Sequence, residues 1–154
     1  MFVRIGGKQM YLWRAVDAEG EVLEVLVQAK RDKRAAHKLI RKLLKKQGTA
    51  AAEWVTDKCP AYGAALRDLN LKKALHTQAK RANNRAESSH VPVRRREAKL
   101  QGLKSPGSAQ RFLSMHAATY NTFTVPRHLT TARTHRLLRA EAVAAWREAA
   151  GVTA

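Results

Sequence analysis

Three features of the sequence predict an α/β fold, made of a three-stranded antiparallel meander, then helix, strand and helix, then further helices toward the C-terminal end. Gly6-Gly7 divides two short strand-like segments, a β-branched-rich run follows a polar turn, and beyond Asp32 the apolar residues recur at helical steps. Phe2 to Ile5 and Met10 to Val16 are the first two strands, because adjacent glycines supply the positive φ angles of a tight hairpin. Asp17-Ala18-Glu19-Gly20 provides the next turn. Val22, Leu23, Val25, Leu26 and Val27 then form a third strand, with the length and apolar character of a buried central one.

Ala35, Ala36, Leu39, Ile40, Leu43 and Leu44 set one apolar stripe against several Lys and Arg, the pattern of an amphipathic helix. Asp32 is its predicted N-cap and Gly48 its C-terminal stop. Glu53 to Thr56 is a short strand that delivers Asp57 at its C-terminal end, ahead of Pro60 and a helix around Ala61 to Leu69. Leu75 to Gln78 is a last short strand, followed by the basic loop Lys80-Arg81-Ala82-Asn83-Asn84. A helix from Arg85 to Leu100 must kink or restart at Pro92, since proline lacks an amide hydrogen and clashes with the preceding turn. Gly102, Pro106 and Gly107 mark a loop. Helical patterns resume from Ser108 to about Asn121 and from Arg133 to about Ala150, with a Thr-rich connector containing Pro126 between them. Trp13, Trp54 and Trp146 lie inside these patterns as core residues.

A chain of 154 residues has the size of one domain. Its formal charge of +18, from 30 basic against 12 acidic side chains, far exceeds what solubility requires and points to a polyanionic partner. Between Asn70 and Leu138 the only carboxylates are Glu87 and Glu97, so the anion-binding face belongs to the second half. Nucleic acid fits better than a membrane, because no apolar run approaches the roughly 20 residues of a spanning helix. Cys59 stands alone, which rules out a disulfide framework and a cysteine-based zinc site and implies a reducing cytoplasm. The first residues lack the apolar segment of a secretory signal.

Two acids stand out. Asp57 lies where a strand ends and a loop begins, a usual place for a ligand-binding residue, although it can equally cap the following helix. Glu87 is flanked by Asn84, Arg85, His90 and Arg94-Arg95-Arg96. It either neutralises these arginines or holds a divalent cation beside a phosphate-binding surface. His90 shares a face with Glu87 if the helix is intact there, as a metal ligand or as a hydrogen-bonded orienting residue, and Arg94 falls on that face one turn further on. His76, His116, His128 and His135 have no metal-site spacing, and no hydrolase triad can be assembled.

Tyr11-Leu12-Trp13-Arg14-Ala15-Val16-Asp17, Thr56-Asp57-Lys58, Asn83-Asn84-Arg85-Ala86-Glu87 and Gly102-Leu103-Lys104-Ser105, in that order, resemble the transposases of insertion sequence family six. The resemblance runs over almost the whole chain. It implies a ribonuclease H-like DDE transposase domain over residues 1–125 and a helical extension over residues 126–154. It also implies a triad of Asp, Asp and Glu that binds two Mg2+ or Mn2+ ions and drives strand cleavage and transfer at transposon ends. Asp57 matches the second acid and Glu87 the third, while Asn84, His90, Arg94, Arg95 and Lys104 match positions near the DNA.

The first acid of the family belongs to an Asp-Glu pair that would fall immediately before Met1, with a helix-turn-helix further upstream. Asp17 is a nearby substitute, but its context reads as a turn. The resemblance therefore implies an N-terminally truncated, DNA-binding domain of a bacterial cytoplasm, associated with the nucleoid and with little catalysis alone. It would pair with itself or with a full-length transposase. Two alternatives stand beside it: an active transposase with an upstream start codon, and a basic DNA- or RNA-binding module in which Asp57 and Glu87 carry no activity.

Overall fold

The computed structural model describes residues 1–71, 74–78, 84–99, 102–124 and 130–152. Strands β1 (Phe2–Ile5), β2 (Lys8–Val16) and β3 (Val22–Gln28) form an antiparallel sheet in the spatial order β1-β2-β3. Gly6 and Gly7 close the first hairpin with φ of 55° and 76°, the left-handed pair that a two-residue turn requires. So tight a turn places Lys8 opposite Ile5, which starts β2 two residues earlier than the sequence pattern predicts. The expected central strand, Val22 to Val27, is instead an edge strand, with β2 at the centre. Its residues are buried because helices cover both faces of the sheet.

Those helices follow from alternation along the strands, which sends successive side chains to opposite faces. Leu12, Val25 and Val27 pack with Val93, Ala109, Leu113 and Ala117 on one face. Trp13 and Leu26 pack with Ala36, Leu39, Ile40, Ala65 and Leu66 on the other. The second group rests on α1 (Lys33–Gln47) and α2 (Pro60–Asp68). Asp32 caps α1 as expected, its carboxylate accepting the Ala35 N–H at 2.9 Å. Gly48, at φ 74°, ends the helix. Pro60 opens α2 at the first helical position, where its missing N–H forfeits no bond.

Strands β4 (Glu53–Thr56) and β5 (Leu75–Gln78) pair in parallel as a separate two-stranded sheet. The helix expected from Arg85 is divided into α3 (Asn84–Ser88) and α4 (His90–Lys99) at Ser89, ahead of Pro92. Pro92 sits in the first turn of α4, where amides have no intrahelical partner, so it breaks nothing.

Helix α5 (Pro106–Phe123) begins two residues before Ser108, so Pro106 and Gly107 form its first turn rather than a loop. Ser105 caps it and exchanges hydrogen bonds with Ser108. Helix α6 (Ala132–Ala149) buries no residue, and Trp146, expected in the core, is 42% exposed and meets the edge of Phe123. Of the loop expected from Lys80 to Asn84, Asn84 instead opens α3, while 80–83 and the connector around Pro126 lie outside the described residues.

Candidate active site

The end of β4, α3 and the start of α4 surround a cleft of about 900 Å3 that also touches β2. Asp57 and Glu87 both line it, so the fold brings together the two acids singled out in the sequence. Asp57 follows directly on β4. Its Oδ1 accepts the Cys59 N–H at 3.0 Å, which braces the turn into α2, and its Oδ2 is ion-paired with Arg31. The carboxylate thus shapes the turn before α2 while remaining at the cleft wall. Glu87 is exposed on α3 and, among the described residues, forms no ion pair with an arginine.

His90 lines the same cleft at the start of α4. Because the helix breaks at Ser89, Glu87 and His90 do not share one continuous helix face, although both line the cleft. Burial, the Met1 amine, Arg14 and Arg94 together push the His90 pKa down to about 3, so the imidazole is neutral near pH 7. Arg94 also lines the cleft, is exposed, and places Nε 3.2 Å from the Met1 sulfur. Asn84, at the start of α3, and Arg95, on α4, are exposed beside the cleft without lining it. Lys104 is exposed ahead of α5 and also lies outside the lining.

Two residues that the sequence reading did not single out complete the arrangement. Arg31, which joins Asp57, carries no local signal among 30 basic residues. Arg14 does carry one, as a cation inside the apolar run Tyr11 to Val16. It is only 7% exposed, and its Nη1 donates to the Ser89 carbonyl at 2.6 Å. Burial lowers its pKa to about 10, still far above neutrality. The effect is to fasten the α3–α4 junction, two residues beyond Glu87, onto β2.

Asp17 behaves as a turn residue. Its Oδ1 accepts the N–H groups of Glu19, Gly20 and Glu21 at 2.8 to 3.0 Å. No group of three acids, histidines or cysteines suited to a metal assembles among the described residues. Four of the described carboxylate residues line the cleft: Asp17, held by its own turn amides, Glu53, which accepts the Thr77 hydroxyl, and Asp57 and Glu87, hard oxygen donors of the kind that divalent Mg2+ and Mn2+ prefer.

An α/β chain with acids from separate segments on one cleft and a formal charge of +18 is of the class in which a family comparison is informative. The chain belongs to the DDE domain family of insertion-sequence transposases, whose family model matches residues 1–125. It is 31% identical over 108 residues to the transposase for insertion sequence-like element IS431mec of Staphylococcus aureus. The same identity and length relate it to the transposase for insertion sequence element IS257 in transposon Tn4003, also of S. aureus. Each match covers 68% of this chain and 48% of the relative, so the chain spans about half the length of these curated relatives. An uncharacterised protein of Yersinia pseudotuberculosis, pYV0051, is 31% identical over 94 residues, covering 60% of this chain and 83% of that protein. No solved structure matches.

Proposed function

We propose that residues 1–125 are the ribonuclease H-like catalytic domain of a transposase, acting in DNA transposition at insertion-sequence ends, with residues 126–154 as a helical extension. The observation that carries this reading is that Asp57 and Glu87, from separate segments, line one cleft. Mg2+ or Mn2+ held by these carboxylates would supply polarisation of the scissile phosphodiester and activation of the attacking water or 3′-hydroxyl.

The chain's own residues do the rest. Arg31 orients the Asp57 carboxylate and Arg14 holds the Glu87 segment on the sheet. Neutral His90 orients groups by hydrogen bonding, while Asn84, Arg94, Arg95 and Lys104 contact DNA phosphates. The chain binds DNA at the bacterial nucleoid and pairs with itself or with a full-length transposase. No helix among the described residues is long and apolar enough to cross a membrane.

Titration of Mn2+ by electron paramagnetic resonance tests the proposal. Asp57→Asn and Glu87→Gln should each weaken Mn2+ binding about tenfold. Their DNA affinity, set by the basic surface, should stay close to that of the parent chain. Equal Mn2+ affinity in all three proteins would reduce the chain to a basic DNA-binding module.

A further inference from the structure

Helix α1 carries seven Lys and Arg side chains between Lys33 and Gln47 and no carboxylate. The helical repeat divides them into two sets. Three border the apolar side and are held by the protein. Lys33 pairs with Asp68 at 2.8 Å, Lys42 pairs with Glu24 at 2.9 Å, and Lys46 donates to the Leu23 carbonyl at 3.0 Å. The other four, Arg34, Lys38, Arg41 and Lys45, recur at steps of four, three and four residues and so share one line along the outer face. All four are exposed, none lines the cleft, and among the described residues none forms an ion pair.

Such a line is unfavourable in the free protein. Each neighbouring pair brings like charges together at a spacing of three or four residues, which destabilises a helix. Arg34 also stands in the first turn, where the helix dipole disfavours a cation and, beyond the capping Asp32, no acid offsets it. A face serving solubility alone would mix the two signs. The line extends about 16 Å along the axis, enough to bridge phosphates on both sides of a B-form major groove about 12 Å wide. The deep, narrow major groove of an RNA duplex offers no comparable approach. Four flexible cations, with no Asn or Gln among them, suit phosphate oxygens rather than base edges.

We propose that the outer face of α1 is a DNA-binding surface separate from the cleft, which grips the backbone of duplex DNA without regard to sequence. The three-stranded sheet lies between α1 and α4, because Ala36, Leu39 and Ile40 pack on one of its faces and Val93 on the other. Contacts of α1 with DNA are therefore additional to those of Arg94 and Arg95 on α4. Neither Asp57 nor Glu87 takes part, so failure of this surface and failure of the proposed metal site are separate outcomes.

Fluorescence anisotropy of a short labelled DNA duplex of arbitrary sequence, titrated with the full chain over a range of salt, tests this surface. The variant Arg34→Gln/Lys38→Gln/Arg41→Gln/Lys45→Gln should bind about a hundredfold more weakly at about 0.1 M salt, and its plot of log affinity against log salt should be shallower by about 3. With like-charge repulsion relieved, this variant should melt no lower than the parent chain, which shows that it is folded. The comparison variant Arg4→Gln/Arg67→Gln/Arg111→Gln/Arg139→Gln removes the same charge from exposed positions on four other elements and should lose less than about fivefold. Equal losses in the two variants, or an unchanged salt slope in the α1 variant, would overturn the proposal. So would a loss confined to an RNA duplex or to phosphatidylserine vesicles, which would assign the face to that partner instead.

Discussion

The two sides of the meander are finished in opposite ways. Along β3, α5 covers the edge with side-chain amides: Gln110 accepts the Val27 N–H and donates to the Val25 carbonyl, both at 2.9 Å. Asn121 does the same for Val22, at 2.9 and 3.0 Å. Each amide thereby imitates a strand neighbour, donating and accepting in the plane of the sheet. On the opposite side β2 pairs with β1, and its residues from Tyr11 to Asp17 line the cleft around which the residues proposed for chemistry gather. The edge far from the acids is sealed by side chains of a helix, whereas the strand beside them walls the cleft.

Removing the seal gives the largest expected effect. The double variant Gln110→Ala/Asn121→Ala strips partners from four backbone groups of β3 and should cost about 3 kcal/mol, read from urea denaturation. A loss no larger than that of an ordinary surface substitution would mean that the two amides are incidental.

The next effect concerns protons at the cleft. The folded His90 pKa of about 3 lies below its unfolded value near 6.5, so the unfolded chain binds the extra proton between those limits. Stability is therefore complete above pH 6.5 and declines as pH falls toward 3, by up to about 1 kcal/mol per pH unit. His90→Gln should flatten this slope, measured by denaturation at several pH values. His116, also shifted downward by burial and by Arg14 and Arg96, contributes with the same sign and should leave a residual slope in that variant.

A smaller effect separates positioning from stability. The Arg31–Asp57 pair is largely solvent-accessible, so Arg31→Ala should change stability by less than about 1 kcal/mol. It should nonetheless alter Mn2+ affinity, because it releases the Asp57 carboxylate from its partner. An unchanged affinity would assign Arg31 to the surface alone.

Much of this arrangement was legible from local rules. Gly6-Gly7, Asp32 and Gly48 act within a few residues of themselves, and each does what its neighbourhood dictates. Asp57 and Glu87 stood out because of where they fall, one at a strand end and one in a basic stretch. The edge position of β3 was not legible, because a strand covered by helices on both faces has the same composition at a sheet's edge as at its centre. The restart required by Pro92 was legible too, since α4 opens at His90 with Pro92 in its first turn; its anchorage was not, because the Ser89 carbonyl is taken by Arg14 from a distant strand.

The most direct measurement of the central idea, that Asp57 and Glu87 form one site, is Mn2+-induced broadening of amide resonances in the isotopically labelled chain. The account predicts that Thr56 to Lys58 and Asn84 to His90 broaden together at the same low Mn2+ concentration, and that Glu87→Gln suppresses the effect at both segments. Broadening of one segment alone, or of neither, would contradict it.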